Sequence, residues 1–537
     1  MFIFAASCSH LELFYKLLHS ENCATFVMKK LLLFFFAFCN IISIFAQQQG
    51  KKIAYSANMQ YYDENYLPGV DRLIGNVIFT QENTIGYADS AYFYSDENRM
   101  LAFGKPVRFY VNDTITIHGN RAMYDGNSKI ATVSRNVVMN DKNSTLYTDS
   151  LIYSTNTRIG YYVTGGKMIS NEDTVTSKIG RYNTNTNMAN FKIDVVMKNP
   201  TYTMLCDSFN YNTNTEVVYF LCRTHLISDE NNIFTNSGWY DTRNNYSLLI
   251  DSVKLINKNQ ELTADTGYYD KNISFGIMKK NITLIDTSRN FIVKGHYGEY
   301  SENGGWSWVT DSALLIVINE EKTDSLYLHA DTLRIFFDSL QNPQLALAFF
   351  HVKFFSIDYQ GVCDSLSYDF VDSVGMMYHN PVLWNKNNQL FGDTIRYTIL
   401  DSISSQFELL RNAFMIEEVY DEVEFNQTKG KNIVGYIVDK ELVQVDVINN
   451  VELIYYVMDD DTLLIGINRM ETNEMKIFLK ENQIEELRFY DYPDGKFWAD
   501  TELPMNDRLL KDFRWLVQYR PKRIEDIYVN PIPRKKE

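Results

Sequence analysis

Clusters of polar turn formers interrupt this chain at two regularly spaced sets of places, and the runs between them are short, β-branched and aromatic. One set includes Asp125-Gly126-Asn127-Ser128, Ser154-Thr155-Asn156-Thr157, Asn183-Thr184-Asn185-Thr186 and Asn212-Thr213-Asn214-Thr215. The other falls between these, at Asn140 to Asn143, Asn171 to Asp173 and Asp229 to Asn232. Asn and Asp tolerate left-handed backbone and bond locally, so both sets are chain reversals. No 3.6-residue apolar stripe persists across a unit, so the pattern predicts strands.

A tyrosine precedes each reversal of the first set. Tyr94, Tyr124, Tyr153, Tyr182, Tyr211, Tyr240, Tyr269 and Tyr300 are separated by steps of 30, 29, 29, 29, 29, 29 and 31 residues. Such a period marks one small unit stacked on itself. Two reversals per unit give two arms of about 10 to 14 residues, pairing antiparallel with their neighbours. Bends are expected where Gly104, Gly165 or Gly276 interrupts. The fold class is therefore all-β, a repetitive antiparallel stack.

Two residues before the tyrosines, on the same strand face, stand Tyr92, Ala122, Leu151, Gly180, Phe209, Gly238, Gly267 and Gly298. The tyrosines, with Leu151 and Phe209, form either a packing ladder or a wall that touches ligand. Regularity loosens after Tyr300, with echoes at Tyr368 and Tyr397. The expected organisation is a first stack over 47–325, a second, more degenerate stack over 326–505, with a break near Asn319 to Lys322, and a closing segment over 506–537. In that segment Asn506 would cap a short helix through Leu509, Leu510, Phe513 and Trp515, followed by the basic cluster Arg514, Arg520, Lys522 and Arg523.

The amino terminus is organised differently. Met28, Lys29 and Lys30 precede an apolar run from Leu31 to Phe45, and Ala46 leads into Gln47-Gln48-Gln49. This reads as a secretory signal peptide over 28–46, within a non-mature segment 1–46 whose start codon is expected at Met28. A retained anchor would span only about 22 Å, short of a bilayer core of roughly 30 Å. A lipoprotein reading through Cys39 meets a bulky Phe38.

The 537 residues carry 51 basic and 67 acidic side chains, a net charge of -16, which repels nucleic-acid phosphates. With 45% hydrophobic and 14% aromatic residues the chain can bury a core. Past residue 46 the cysteines are Cys206, Cys222 and Cys363, without metal-type spacing; a Cys206–Cys222 bridge stays open beside three core thiols. The scattered histidines form no zinc motif, and there is no nucleophile elbow or phosphate loop. Neither a metal nor a cofactor is implied. Asp89-Ser90, Asp149-Ser150, Asp207-Ser208 and Asp265-Thr266 recur with the repeat, whereas a catalytic carboxylate occurs once among unique neighbours. They are expected to be solvated or turn-forming.

Tyr87-Ala88-Asp89-Ser90-Ala91-Tyr92-Phe93-Tyr94 and then Leu101-Ala102-Phe103-Gly104-Lys105-Pro106-Val107-Arg108-Phe109 resemble the repeating unit of the OstA/LptA family of lipopolysaccharide-transport proteins. Leu262-Thr263-Ala264-Asp265 and Leu328-His329-Ala330-Asp331 keep parts of it. The closing region, with Lys429-Gly430-Lys431-Asn432-Ile433-Val434-Gly435-Tyr436, looks like the large OstA-like proteins of Bacteroidetes. The resemblance implies a V-shaped β-jelly-roll, or β-taco, that takes lipid A acyl chains in an apolar groove. It also implies a periplasmic location, possible peripheral association with the outer membrane, no enzymatic step, partners among Lpt-type inner- and outer-membrane components, and end-to-end self-association. The chain departs from the family in its length, and it lacks the long amphipathic strands of the LptD barrel. The rival readings are a secreted structural or glycan-binding β-solenoid and a glycan-processing enzyme.

Overall fold

The computed structural model describes residues 52–529, apart from 66, 230, 421–422, 459–462, 482 and 500–501. The signal-peptide expectation lies outside the described residues. Strands follow one another in antiparallel pairs, and the helical turns among the described residues are short 3-10 turns that include Met505–Asp507, Val517–Tyr519 and Ile524–Tyr528. Alternating β-branched runs between Asn-rich reversals therefore form the all-β stack that they predict. The chain divides into two compact units, residues 1–166 and 167–537.

In the first unit Val70–Gln81, Thr84–Tyr94, Arg99–Val111, Ile115–Asp125, Ile130–Asn140 and Thr145–Ser154 pair in chain order, and each pairing shifts register near its middle. Burial shows what the shift accomplishes. Along Thr84–Tyr94 the buried residues are Thr84, Gly86 and Ala88, then Ala91 and Phe93. Asp89 and Ser90 intervene together, and the same sheet face is buried on both sides of them. Strict alternation would have turned the apolar set outward past this point. The shift is a bulged corner that bends the strand and keeps one face inward.

Return strands make the corner with two consecutive left-handed residues: Arg135 and Asn136 in the first unit, and Ile193/Asp194, Asp251/Ser252, Lys280/Asn281 and Asp311/Ser312 in the second. Of the glycines expected at bends, Gly104 sits in a register shift and Gly165 is left-handed at φ 86. Gly276 is not at a bend; it lies in a regular ladder opposite Tyr269 and Tyr300, and the corner falls at Lys280-Asn281.

In the second unit the pairing is unbroken where a new stack was expected. Trp306–Ile318 and Ser325–Phe337 pair from Ile318↔Ser325 to Trp306↔Phe336. Asn319 makes the turn between them, its side-chain oxygen accepting the Thr323 and Asp324 N–H groups at 2.9 and 3.3 Å.

The closing segment holds its 3-10 turns where a capped helix was expected, and Asn506 lies inside the first turn, which is flanked by Pro504. Leu503 and Leu510 are buried and Phe513, Trp515, Leu516 and Tyr519 pack beside them on an apolar row that includes Trp384, Phe391, Phe414, Ile416 and Ile454. Gln427 donates to the Arg508 carbonyl and accepts the Leu510 N–H, both at 2.8 Å. Gln389 does the same for Arg514 and Leu516 at 2.7 Å. An extended strap presents its backbone to these glutamines, whereas a helix would have consumed those groups internally.

Candidate functional site

The tyrosine column is a ladder of rings over small partners. In the second unit the pairing runs Tyr182↔Ala189↔Tyr211↔Val218↔Tyr240, then Tyr240↔Ser247↔Tyr269↔Gly276↔Tyr300↔Ser307. In the first unit it runs Tyr124↔Ala131↔Tyr153↔Gly160. Two of the rings lie across a glycine partner: a Cβ on Gly160 would meet the Tyr153 ring at 3.2 Å, and one on Gly276 the Tyr269 ring at 3.5 Å. Tyr94 does not belong. Its step of 30 residues places it one position out of phase, which in a strand is the other face. Phe93 takes the ladder position opposite Met100, and Tyr94 stacks under the Arg99 guanidinium at 4.6 Å.

Buried polar groups tie the ladder's ends. The Tyr124 hydroxyl donates to Gln81 Oε1 at 2.6 Å. Asp173, 3% exposed, accepts from Asn199 (2.9 Å), Tyr202 (3.3 Å), Tyr211 (3.1 Å) and Thr242 (3.2 Å). Burial nevertheless pushes its carboxyl above the usual range, more strongly than these donors lower it. Asp286, also buried, behaves oppositely. It accepts from Ser288 Oγ, Gln260 Nε2 and the Ser288 and Arg289 N–H groups. Burial is again the largest single influence and raises it, but the donors together hold it below the usual range.

The repeated aspartates serve the corners. Asp265 accepts Asn281 Nδ2 at 3.1 Å, Asp331 pairs with His351 Nδ1 at 2.9 Å, Asp393 accepts Asn412 Nδ2 at 3.0 Å and Asp89 accepts the Lys105 N–H at 3.1 Å. These four bond to residues at the bends. Among the described residues no group of His, Cys, Asp and Glu could hold a metal ion.

What distinguishes one part of the second unit is how its inward face is filled. On Met188–Asn199, Tyr202–Asn212 and Val217–Phe220, the residues Ala189, Phe191, Val195, Met197, Met204, Phe209, Tyr211 and Val218 are all at or below 1% exposure. Tyr182 is equally enclosed, as are Tyr124, Leu151 and Tyr153 in the first unit. From Tyr246–Ile256 to Ser325–Phe337 the equivalent positions are partly open: Leu249, Leu255, Leu262, Met278, Leu284, Val293, Leu315 and Ile335 are half-buried. Tyr240 and Tyr300 are half-buried and Tyr269 is 37% exposed.

The sealed apolar side chains there lie beside the corners, where Ala264, Ile282, Val309 and Ala313 form a small core, while Gly276 and Asp286 are buried away from them. The arrangement is a trough, closed along its bend and open along apolar walls. Gly238, Gly267 and Gly298 stand where Phe209 and Leu151 stand in filled rungs, while Gly180, opposite the buried Phe191, shows that a glycine in this column also fits a filled rung. Farther along, Phe407, Leu409, Ile433, Val445, Val447 and Met475 are buried again, so the trough is bounded at both ends within this unit. Sequence reasoning named the tyrosines but not the aliphatic walls; the glycine column is only a partial signal, because Gly180 lies in a filled rung.

Antiparallel strands bent at their corners, with half-buried apolar side chains along one face of the second unit, define a β-groove protein. The family model described as OstA-like protein matches residues 50–207 and 201–293, and that region is OstA-like. No curated protein matches the chain. Among the solved structures similar to it is LptH of Pseudomonas aeruginosa, the LptA-homologous periplasmic component of the conserved lipopolysaccharide transport device. It is 18% identical, with 20% of this chain and 80% of that chain covered and a TM-score of 0.19.

Proposed function

We propose that the chain binds lipopolysaccharide without enzymatic chemistry, holding lipid A acyl chains in the trough between Tyr246 and Phe337, and passes it across the periplasm toward the outer membrane. The observation that carries this is the row of half-buried Leu, Met, Val and Ile side chains on a face that is sealed in neighbouring rungs. Each acyl CH₂ moved from water onto such a surface gains about 0.8 kcal/mol, so a multi-chain lipid must be handed between greasy surfaces rather than released. The OstA-like match supports lipopolysaccharide as that lipid. In this reading Tyr240, Tyr269 and Tyr300 line the groove, while Tyr124, Tyr153, Tyr182, Tyr211, Leu151 and Phe209 only pack. The partners would be Lpt-type components of the two membranes, with end-to-end contact between copies, and the chain would be exported by cleavage of its signal peptide.

A photo-crosslinking residue at Leu284 or Tyr300 should capture lipid A in an envelope preparation, while one at Phe191 should not. Lipid captured at none of the trough positions, together with no lipid in mass spectra of the purified protein, would sink the proposal. Retention of a glycan without acyl chains would transfer the case to the glycan-binding reading.

A further inference from the structure

Two thiols meet at the corner of Tyr202–Asn212, on the last filled rung before the trough. Its ladder with the following strand runs from Asn212↔Val217 to Phe209↔Phe220, then resumes at Leu205↔His225 one residue out of step. Cys206 and Cys222 occupy the gap. Cys222 Sγ accepts the Ser208 N–H at 3.2 Å and donates to the Ser208 carbonyl at 3.3 Å, which fixes it two residues from Cys206 along the facing chain. The Cys222 thiol is near enough to act electrostatically on that of Cys206. Both are half-buried, while Cys363 is buried at another rung.

We infer that Cys206 and Cys222 are a disulfide-forming pair that locks this corner, where the filled rungs give way to the trough. The inference is independent of the lipid reading. The chemistry needs an oxidant carrying its own disulfide. One of the two thiolates attacks that disulfide, forming a mixed disulfide and expelling one oxidant thiol. The other thiolate then attacks the sulfur now bound to the oxidant and expels the second thiol. Two electrons and two protons leave the pair, and one disulfide is reduced to two thiols.

Burial first, and the neighbouring Cys222 second, push the Cys206 thiol up to about 12. The folded, reduced protein thus holds little Cys206 thiolate, and the bridge should close while the corner is still open to water.

The full chain is folded with oxidised glutathione, alkylated, digested without reductant and mapped by mass spectrometry. The expected product is the Cys206 peptide joined to the Cys222 peptide. The folding chain should form it about tenfold or more faster than reduced protein that has already folded. The oxidised protein should melt a few degrees higher than the same protein after dithiothreitol, a difference that Cys222→Ser abolishes. Should that variant not fold, the comparison of oxidised and reduced wild type still decides. Recovery of both cysteines as alkylated thiols, or their linkage to Cys363 or to glutathione alone, would overturn the inference.

Discussion

The rungs from Met188 to Phe220 and those from Tyr246 to Phe337 are built on one plan, with the same reversals, corners and tyrosine ladder, yet one set is filled and the other open. The difference lies in the side chains of single rows. Phe209 gives way to Gly238, Gly267 and Gly298, and Phe191, opposite Phe209, corresponds to Leu249 and Met278, opposite Gly267. Aliphatic neighbours move in over the glycines, with Met278 Sδ 2.9 Å from where a Gly267 Cβ would lie and Ile282 Cδ1 3.4 Å from that of Gly298, yet the row stays half-buried. A repeat can therefore carry closely filled and half-open rungs on one strand plan.

The largest expected effect breaks this comparison directly. Phe209→Ala, at 0% exposure, should cost about 3–5 kcal/mol in urea unfolding. Tyr300→Ala, on the open wall, should cost about 1 kcal/mol. Equal losses would mean that the trough is packed as tightly as the filled rungs.

A smaller contrast comes from glycines beneath rings. A Cβ on Gly86 would lie 2.0 Å from Phe79, whose ring is held between Phe109 and Tyr124. Gly86→Ala should cost about 1–3 kcal/mol through overpacking. Gly276→Ala meets Tyr269 at an ordinary 3.5 Å and should change stability by no more than about 0.5 kcal/mol. Thermal melts of the two variants give the test; a disruptive Gly276→Ala would show that the open rungs have no slack.

The period made the strands, reversals and ladder legible, because each repeats a local chemistry that Asn, Asp and Tyr announce. The corners were hidden, since their left-handed pairs are as varied as Arg135-Asn136 and Ile193-Asp194, and Ile has no preference for that conformation. Tyr94 misleads because a slip of one residue is invisible in a period and decisive in a strand. The strap was illegible for another reason: Gln427 and Gln389 meet backbone groups 81 and 125 residues away. Local pattern carries no trace of such partners.

The smallest effect is a pH slope, and it sets a buried carboxyl of the filled rungs against one of the open rungs. Asp173 has a raised folded-state pKa, so its contribution is fully present below the ordinary carboxylate value and is lost as pH rises through the folded value. Asp286 has a depressed one, so its contribution is present above the ordinary value and is lost as pH falls through the folded value. Burial raises both, and the balance differs: the four side-chain donors to Asp173 do not offset its burial, whereas the four donors to Asp286, two of them backbone N–H groups that favour its charged form, outweigh it. Relative to wild type, Asp173→Asn should therefore gain stability between acid and neutral pH, and Asp286→Asn should lose it. Urea midpoints measured across that range test both; slopes of the same sign would show that the two aspartates do not differ in the way their hydrogen bonds require.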